Sequence, residues 1–170
     1  MHRLLAYHYV LILPEKIRRE LQSVRRVLWR MTGDVAFYAA SSALTLAHSR
    51  DPLSLPEDIP WDGSRVEISS RAVLSDLGAL ILPAVQSPAL ERLTYTLTTS
   101  SGASAAHPQG LMLAPMAKES FLYHQQEIED YLSPLSFSPI TDARLAVLEL
   151  EQSLGGWHWQ FFQPKRLAWR

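Results

Sequence analysis

Residues 4–13 read Leu-Leu-Ala-Tyr-His-Tyr-Val-Leu-Ile-Leu, and Pro14-Glu15-Lys16 follows at once. A short apolar and aromatic run of this kind suits a buried strand and is too short for a buried helix. Pro14 then opens a helix, because a residue without an N–H costs nothing in the first turn. Ile17, Leu21, Val24, Leu28 and Met31 stand at steps of four, three, four and three, which lays one apolar stripe along that helix. Gly33 is placed to cap its C-terminus. A strand running straight into an amphipathic helix sets the pattern from which the rest of the chain is read.

Phe37 to Leu46 is expected as the next strand, ending in Ala43-Leu44-Thr45-Leu46, and the polar, proline-punctuated stretch from Ser49 to Ser64 as a loop. Arg65 to Leu74 alternates, Val66 and Ile68 against Glu67 and Ser69, as a half-exposed strand does. Ala79-Leu80-Ile81-Leu82 is a more buried strand. Ser87-Pro88 caps a helix that carries Leu90, Leu93 and Leu97. A small-residue linker, Ser100 to Ala106, leads to His107-Pro108-Gln109-Gly110 and a short strand, Leu111 to Leu113. Glu119 to Leu132 is expected as a helix. Arg144 to Ser153 and Trp157 to Phe162 form a hairpin about Leu154-Gly155-Gly156. Strands and helices interleave, so the fold class is α+β: helices packed outside a mixed or antiparallel sheet, with residues 1–170 as one domain. No internal repeat is visible in the sequence.

The chain has 170 residues, 47% of them hydrophobic and 19% charged, which is a globular composition. It is long enough to bury roughly two-thirds of its unfolded surface without covalent staples. Cysteine is absent, which removes disulfides, thiolate metal sites and cysteine nucleophiles. No His-x-His or His-x-x-x-His pair and no glycine-rich phosphate loop occurs, so neither a metal nor a cofactor is expected. The N-terminal apolar stretch carries His8 and two tyrosines and lacks a small-residue cleavage site. No apolar run approaches the ~20 residues that span a bilayer. A soluble, cytoplasmic protein with no membrane partner is the expectation.

Charge is uneven. The first fifty residues carry eight Arg and Lys against three Asp and Glu, while the whole chain has a net charge of −1. Lys16, Arg18, Arg19, Arg25, Arg26 and Arg30 supply most of that excess. Such a strip reads either as a solvated helix face or as a footprint for phosphates. Near the C-terminus, Trp157, Trp159 and Phe161 share one strand face. They suit core or an interface covering a sheet edge, a homodimer included, and secondarily a platform for stacking bases.

The order of these local words resembles the 2H phosphoesterase superfamily, in particular the 2′-5′ RNA ligase family of RNA 2′,3′-cyclic phosphodiesterases. Leu11-Ile12-Leu13-Pro14-Glu15 resembles the family's opening strand and proline-led helix. Ser42-Ala43-Leu44-Thr45-Leu46 stands where the family has its first His-x-Thr-Leu motif. His107-Pro108-Gln109-Gly110-Leu111-Met112-Leu113 resembles the segment of the second motif. Leu148 to Ser153, with Lys165-Arg166-Leu167-Ala168-Trp169, resembles the closing hairpin. The resemblance covers most of the chain and is weakest over residues 114–140. It implies two pseudo-symmetric lobes around a central cleft that receives a phosphate.

In that family two histidines exchange acid and base roles, which imidazoles do well near neutral pH. Here the first histidine position holds Ala43, with Thr45 kept beside it. The second aligns with Gln109, and its threonine with Leu111; an alternative register, Pro139-Ile140-Thr141, again lacks the histidine. Alanine transfers no proton, and glutamine does not titrate near neutrality. The resemblance therefore implies a degenerate member: a non-catalytic module binding an RNA end, a nucleotide or a protein partner, with Thr45 and Gln109 as residual ligand contacts. The alternatives are an active phosphodiesterase with a relocated pair, His48 and His107, and a purely structural subunit whose cleft is plugged.

Overall fold

The computed structural model describes residues 4–38, 40–76, 78–153 and 156–170. Strand β1 (Leu4–Ile12) passes through Pro14 into helix α1 (Glu15–Thr32), and Gly33 ends that helix in a left-handed conformation, φ 70°. Ile17, Leu21, Val24 and Leu28 are buried as their spacing requires. The expected strand from Phe37 begins six residues later. Asp34 accepts the Ala36 N–H at 2.9 Å and draws Val35–Tyr38 into a 3-10 turn, and β2 spans Ala43–Ser49. Ile12 pairs with Ala43, so β1 and β2 are the arms of an antiparallel hairpin with α1 inserted between them.

A second unit repeats this plan. Strand β3 (Val73–Leu74) is short and β4 spans Ala79–Pro83. Helix α2 (Pro88–Ser101) starts where Ser87 Oγ accepts the Leu90 N–H at 3.2 Å. Strand β5 (Ser104–Pro115) returns antiparallel to β4. The expected linker at 100–106 is thus the end of a helix and the start of a strand. Ser100 and Ser101 donate their hydroxyls to the Leu97 carbonyl and stay helical, and Gly102, φ 73°, makes the turn. The alternation from Arg65 is real on the inside, where Val66 and Ile68 are buried. The expected strand from Arg65 to Leu74 is continuous only at its end, however: among the described residues Val66 and Ile68 make single bridges to Ile140 and Ala84, and Val73–Leu74 alone pair as a strand, with Ile81 and Leu80 of β4.

Helix α3 (Lys118–Leu132) leads to β6 (Arg144–Ser153) and β7 (Gly156–Arg166), paired as a hairpin; residues 154 and 155 of its turn lie outside the described residues. Among the described residues the strands form one sheet in the order β3-β4-β5-β2-β1-β6-β7, every pairing antiparallel. Interleaved helices do not impose parallel pairing, because each of α1 and α2 sits inside a hairpin connection. One face of the sheet carries Tyr9, Leu11, Leu44, Leu46, Leu82 and Leu111 into the core with the helices. The loop from Asp51 to Ser64 joins that side: Tyr9 Oη donates to the Ser54 carbonyl at 2.7 Å, and Trp61 packs on Trp169 at 5.0 Å. The opposite face is left to Val10, Ala43, Ala146 and Leu148, and to the site described next.

Candidate functional site

A hollow of about 480 Å³ opens on the helix-free face of the sheet. His8 from β1, Thr45 and His48 from β2, and His107 from β5 line it, over apolar walls that include Ile81, Met112, Leu148 and Leu150. Ser75 and Asp76, between β3 and β4, close one side. Three histidines and Thr45 therefore come together, although strict alternation along β2 would place Thr45 and His48 on opposite faces.

A bulge reconciles them. Tyr9 pairs with Ala47 and Val10 with Thr45, leaving Leu46 as the extra residue. Leu46 and Ala47 both face the core, and His48 returns to the face of Thr45. On the other side β5 carries residues 106–109 opposite that single extra residue, since Thr45 pairs with Gly110 and Ala47 with Ala105. Pro108 is tolerated in a strand because it lies in this unpaired excursion, and the same excursion carries His107 to the rim.

Gln109 holds the bulge together. Its Nε2 donates to the Leu46 carbonyl at 3.0 Å and to Thr94 Oγ1 at 2.6 Å, and its Oε1 accepts from Gln86 at 3.2 Å. The side chain is 5% exposed, turned toward α2, and does not line the hollow. Leu111 is likewise buried in the core. The two residues aligned with the second motif thus face away from Thr45. Leu44 stands opposite Leu111, so the β5 positions that match Ala43 and Thr45 across the two hairpins are Gly110 and Met112. Met112 does line the hollow. Ile140, from the alternative register, is fully buried in its bridge to Val66 and lies elsewhere.

The electrostatics follow from burial. Ala43 is 1% exposed among Val10, Ala146 and Leu148, so no proton donor reaches that point. His8 faces His48 across the strand pair, ring centroids 6.3 Å apart. Burial, helped by the nearby His48, lowers the His8 pKa from 6.5 to about 4 and keeps that imidazole neutral at pH 7. Its Nδ1 is buried without a hydrogen-bond partner among the described residues. No Lys or Arg lines the hollow among the described residues, and no group of three or more His, Asp or Glu there has the geometry to hold a metal ion.

Sequence reasoning singled out Thr45, His48 and His107 but left His8 undirected, and it did not include Met112 or Asp76. Tyr9 going into the core is the signal that sends His8 outward. The basic strip also divides: Arg25 is 5% exposed and belongs to the interior. No described helix is long and apolar enough to cross a membrane. No family model and no curated protein matches the chain.

Proposed function

We propose that this chain is a 2H phosphoesterase-like module whose two hairpin units are the pseudo-symmetric lobes. In this reading it holds an RNA end or nucleotide in the hollow without hydrolysing it. The observation that carries this reading is the contrast between neighbours on β2: Ala43 is sealed in an apolar cluster, while Thr45 stands on an open hollow. A site that keeps a hydrogen-bonding threonine and fills the proton-transfer position with a methyl group is suited to binding. The matching position on β5 leaves no room for any side chain, since a Cβ on Gly110 would lie 2.2 Å from the Leu82 carbonyl oxygen.

The lining also favours a ring over a bare phosphate. Phosphoryl transfer depends on positive charge placed at the phosphoryl oxygens, and no cationic side chain of the described residues lines this hollow. Ile81, Met112, Leu148 and Leu150 suit the faces of a base; Thr45, His48 and His107 suit its edges and the ribose hydroxyls. The second reading, a phosphodiesterase with relocated histidines, draws on one specific observation: His48 and His107 line the same hollow.

One experiment separates them. A short RNA ending in a 2′,3′-cyclic phosphate is mixed with the protein and followed by phosphorus NMR. The expected result is shifted or broadened resonances with the ring intact, reversed by Thr45→Val or His48→Ala. Ring opening that His48→Ala or His107→Ala abolishes would establish the catalytic reading instead. Resonances that neither shift nor react would reject both.

A further inference from the structure

A second hollow, of about 420 Å³, lies at the Ile12 end of the sheet and shares no lining residue with the histidine hollow. Helix α1 presents Arg18, Gln22 and Arg26 to it, and β7 presents Trp159 and Phe161. Arg18 and Arg26 are exposed, and among the described residues neither has a carboxylate within ion-pair distance, whereas Arg19 is tied to Glu15. They stand eight residues apart on one helix, hence about 12 Å along its axis. Arg25, on the floor, spends its guanidinium on backbone carbonyls and is not available to a ligand.

The opposite wall is aromatic. Trp159 is 43% exposed, and its ring lies 5.5 Å from that of Phe161, tilted by 58°. A large aromatic surface left open next to free guanidinium groups is unusual for a sheet edge, where exposed apolar rings invite association. Beyond Arg18 the surface continues into a neighbouring hollow that adds Arg144 and Arg166, with Glu15 and Asp142 as its acidic members. Cations spaced along a groove, facing rings that can stack, form the arrangement that binds single-stranded nucleic acid. Phosphates meet the charges, bases meet the rings, and no base edge need be read. A duplex keeps its bases stacked inside and cannot use the rings.

We infer that the groove between α1 and β7 binds single-stranded nucleic acid, with Arg18 and Arg26 on the phosphates and Trp159, backed by Phe161, under a base. This site stands on its own observations and does not depend on what fills the histidine hollow.

The test is fluorescence anisotropy with a labelled single-stranded 12-mer of uridine, titrated at several salt concentrations. Two phosphate contacts predict a log–log salt slope of about −1.4. Arg18→Ala with Arg26→Ala should weaken binding about tenfold at low salt and flatten most of that slope. Trp159→Ala should weaken it about tenfold with the slope unchanged, and Trp159→Phe should restore most of the loss. Arg30→Ala removes a charge from the same helix outside the groove and should leave affinity within about twofold. Thr45→Val should also leave it unchanged. The inference is overturned by equal losses from Arg30→Ala, by a duplex of the same length binding as tightly, or by Trp159→Ala without effect. It is overturned too if Thr45→Val abolishes binding, which would put the strand in the histidine hollow, or if the protein is a dimer that Trp159→Ala dissociates.

Discussion

At the scale of single residues, Arg25 and Gln109 share one task. Each carries its donors into the interior: Arg25 gives them to the carbonyls of Ser41, Met112 and Leu113, and Gln109 to the Leu46 carbonyl and the Thr94 hydroxyl. Arg25 donates from Nε to the Leu113 carbonyl at 3.2 Å and from Nη2 to the Ser41 carbonyl at 2.7 Å, joining the segment before β2 to β5. Burial lowers its pKa to about 10, so it is still a cation at neutral pH, stabilised by carbonyl dipoles. Arg25→Met should cost about 3 kcal/mol, because carbonyls solvated by one guanidinium lose their donors together. Arg25→Lys should recover little of it, since a single ammonium cannot reproduce the planar fork. Urea denaturation reads both; a methionine variant with an unchanged midpoint would show that these carbonyls find other donors. The basic strip was legible in the sequence as charge. That one member is structural was not, because its partners are backbone atoms of Ser41, Met112 and Leu113, brought near only by the sheet.

At the scale of elements, β5 decides the geometry of the site. It must bulge opposite Leu46 and then pass close under β4. Gly110 makes the close passage: a Cβ there would lie 2.2 Å from the Leu82 carbonyl oxygen and 2.7 Å from Ile81 Cγ2. The reason is space, since β4 backbone occupies the volume a side chain needs. Gly110→Ala should therefore push β4 from β5 and destabilise the protein by about 3 kcal/mol, a fall in Tm on the order of 5–10 °C. A melting curve that superimposes on that of the parent would mean β4 moves aside freely. Element types were legible where local chemistry is self-contained. The apolar stripe of α1, the Gly33 cap and the Ser87-Pro88 start of α2 all stand as the sequence implied. Boundaries failed where side chains compete with the backbone, as Asp34 does before β2 and Ser100 and Ser101 do at the end of α2.

For the whole molecule, the histidine hollow makes stability depend on pH. In the folded chain His8 has a pKa of about 4, against 6.5 for the free side chain. Between these values the unfolded chain binds more protons than the folded one, so acidification favours unfolding. The contribution is complete above about pH 6.5 and disappears as pH falls toward 4, with up to about 3 kcal/mol at stake. His8→Leu should flatten the difference in Tm between pH 7.5 and 5 relative to the parent. Equal slopes for the two proteins would place the acid sensitivity in the carboxylates. A ligand that seals the hollow should steepen the dependence, because it shields His8 further from water.

The sequence by itself determined which segments are strands and helices in outline, that the molecule mixes both, and that residue 43 is an alanine, which carries no titrating group. These properties depend on neighbours in the chain: apolar spacing, caps and residue identity. The tertiary structure alone decided that the described strands all pair antiparallel and that two hairpins, each with an inserted helix, stand side by side, an arrangement no sequence repeat betrays. It also decided that Gln109 supports the bulge while His8, His48 and His107 share one hollow. Facing depends on register, and one extra residue at Leu46 reverses it for everything beyond. A pattern read along one strand carries no information about where its partner strand bulges.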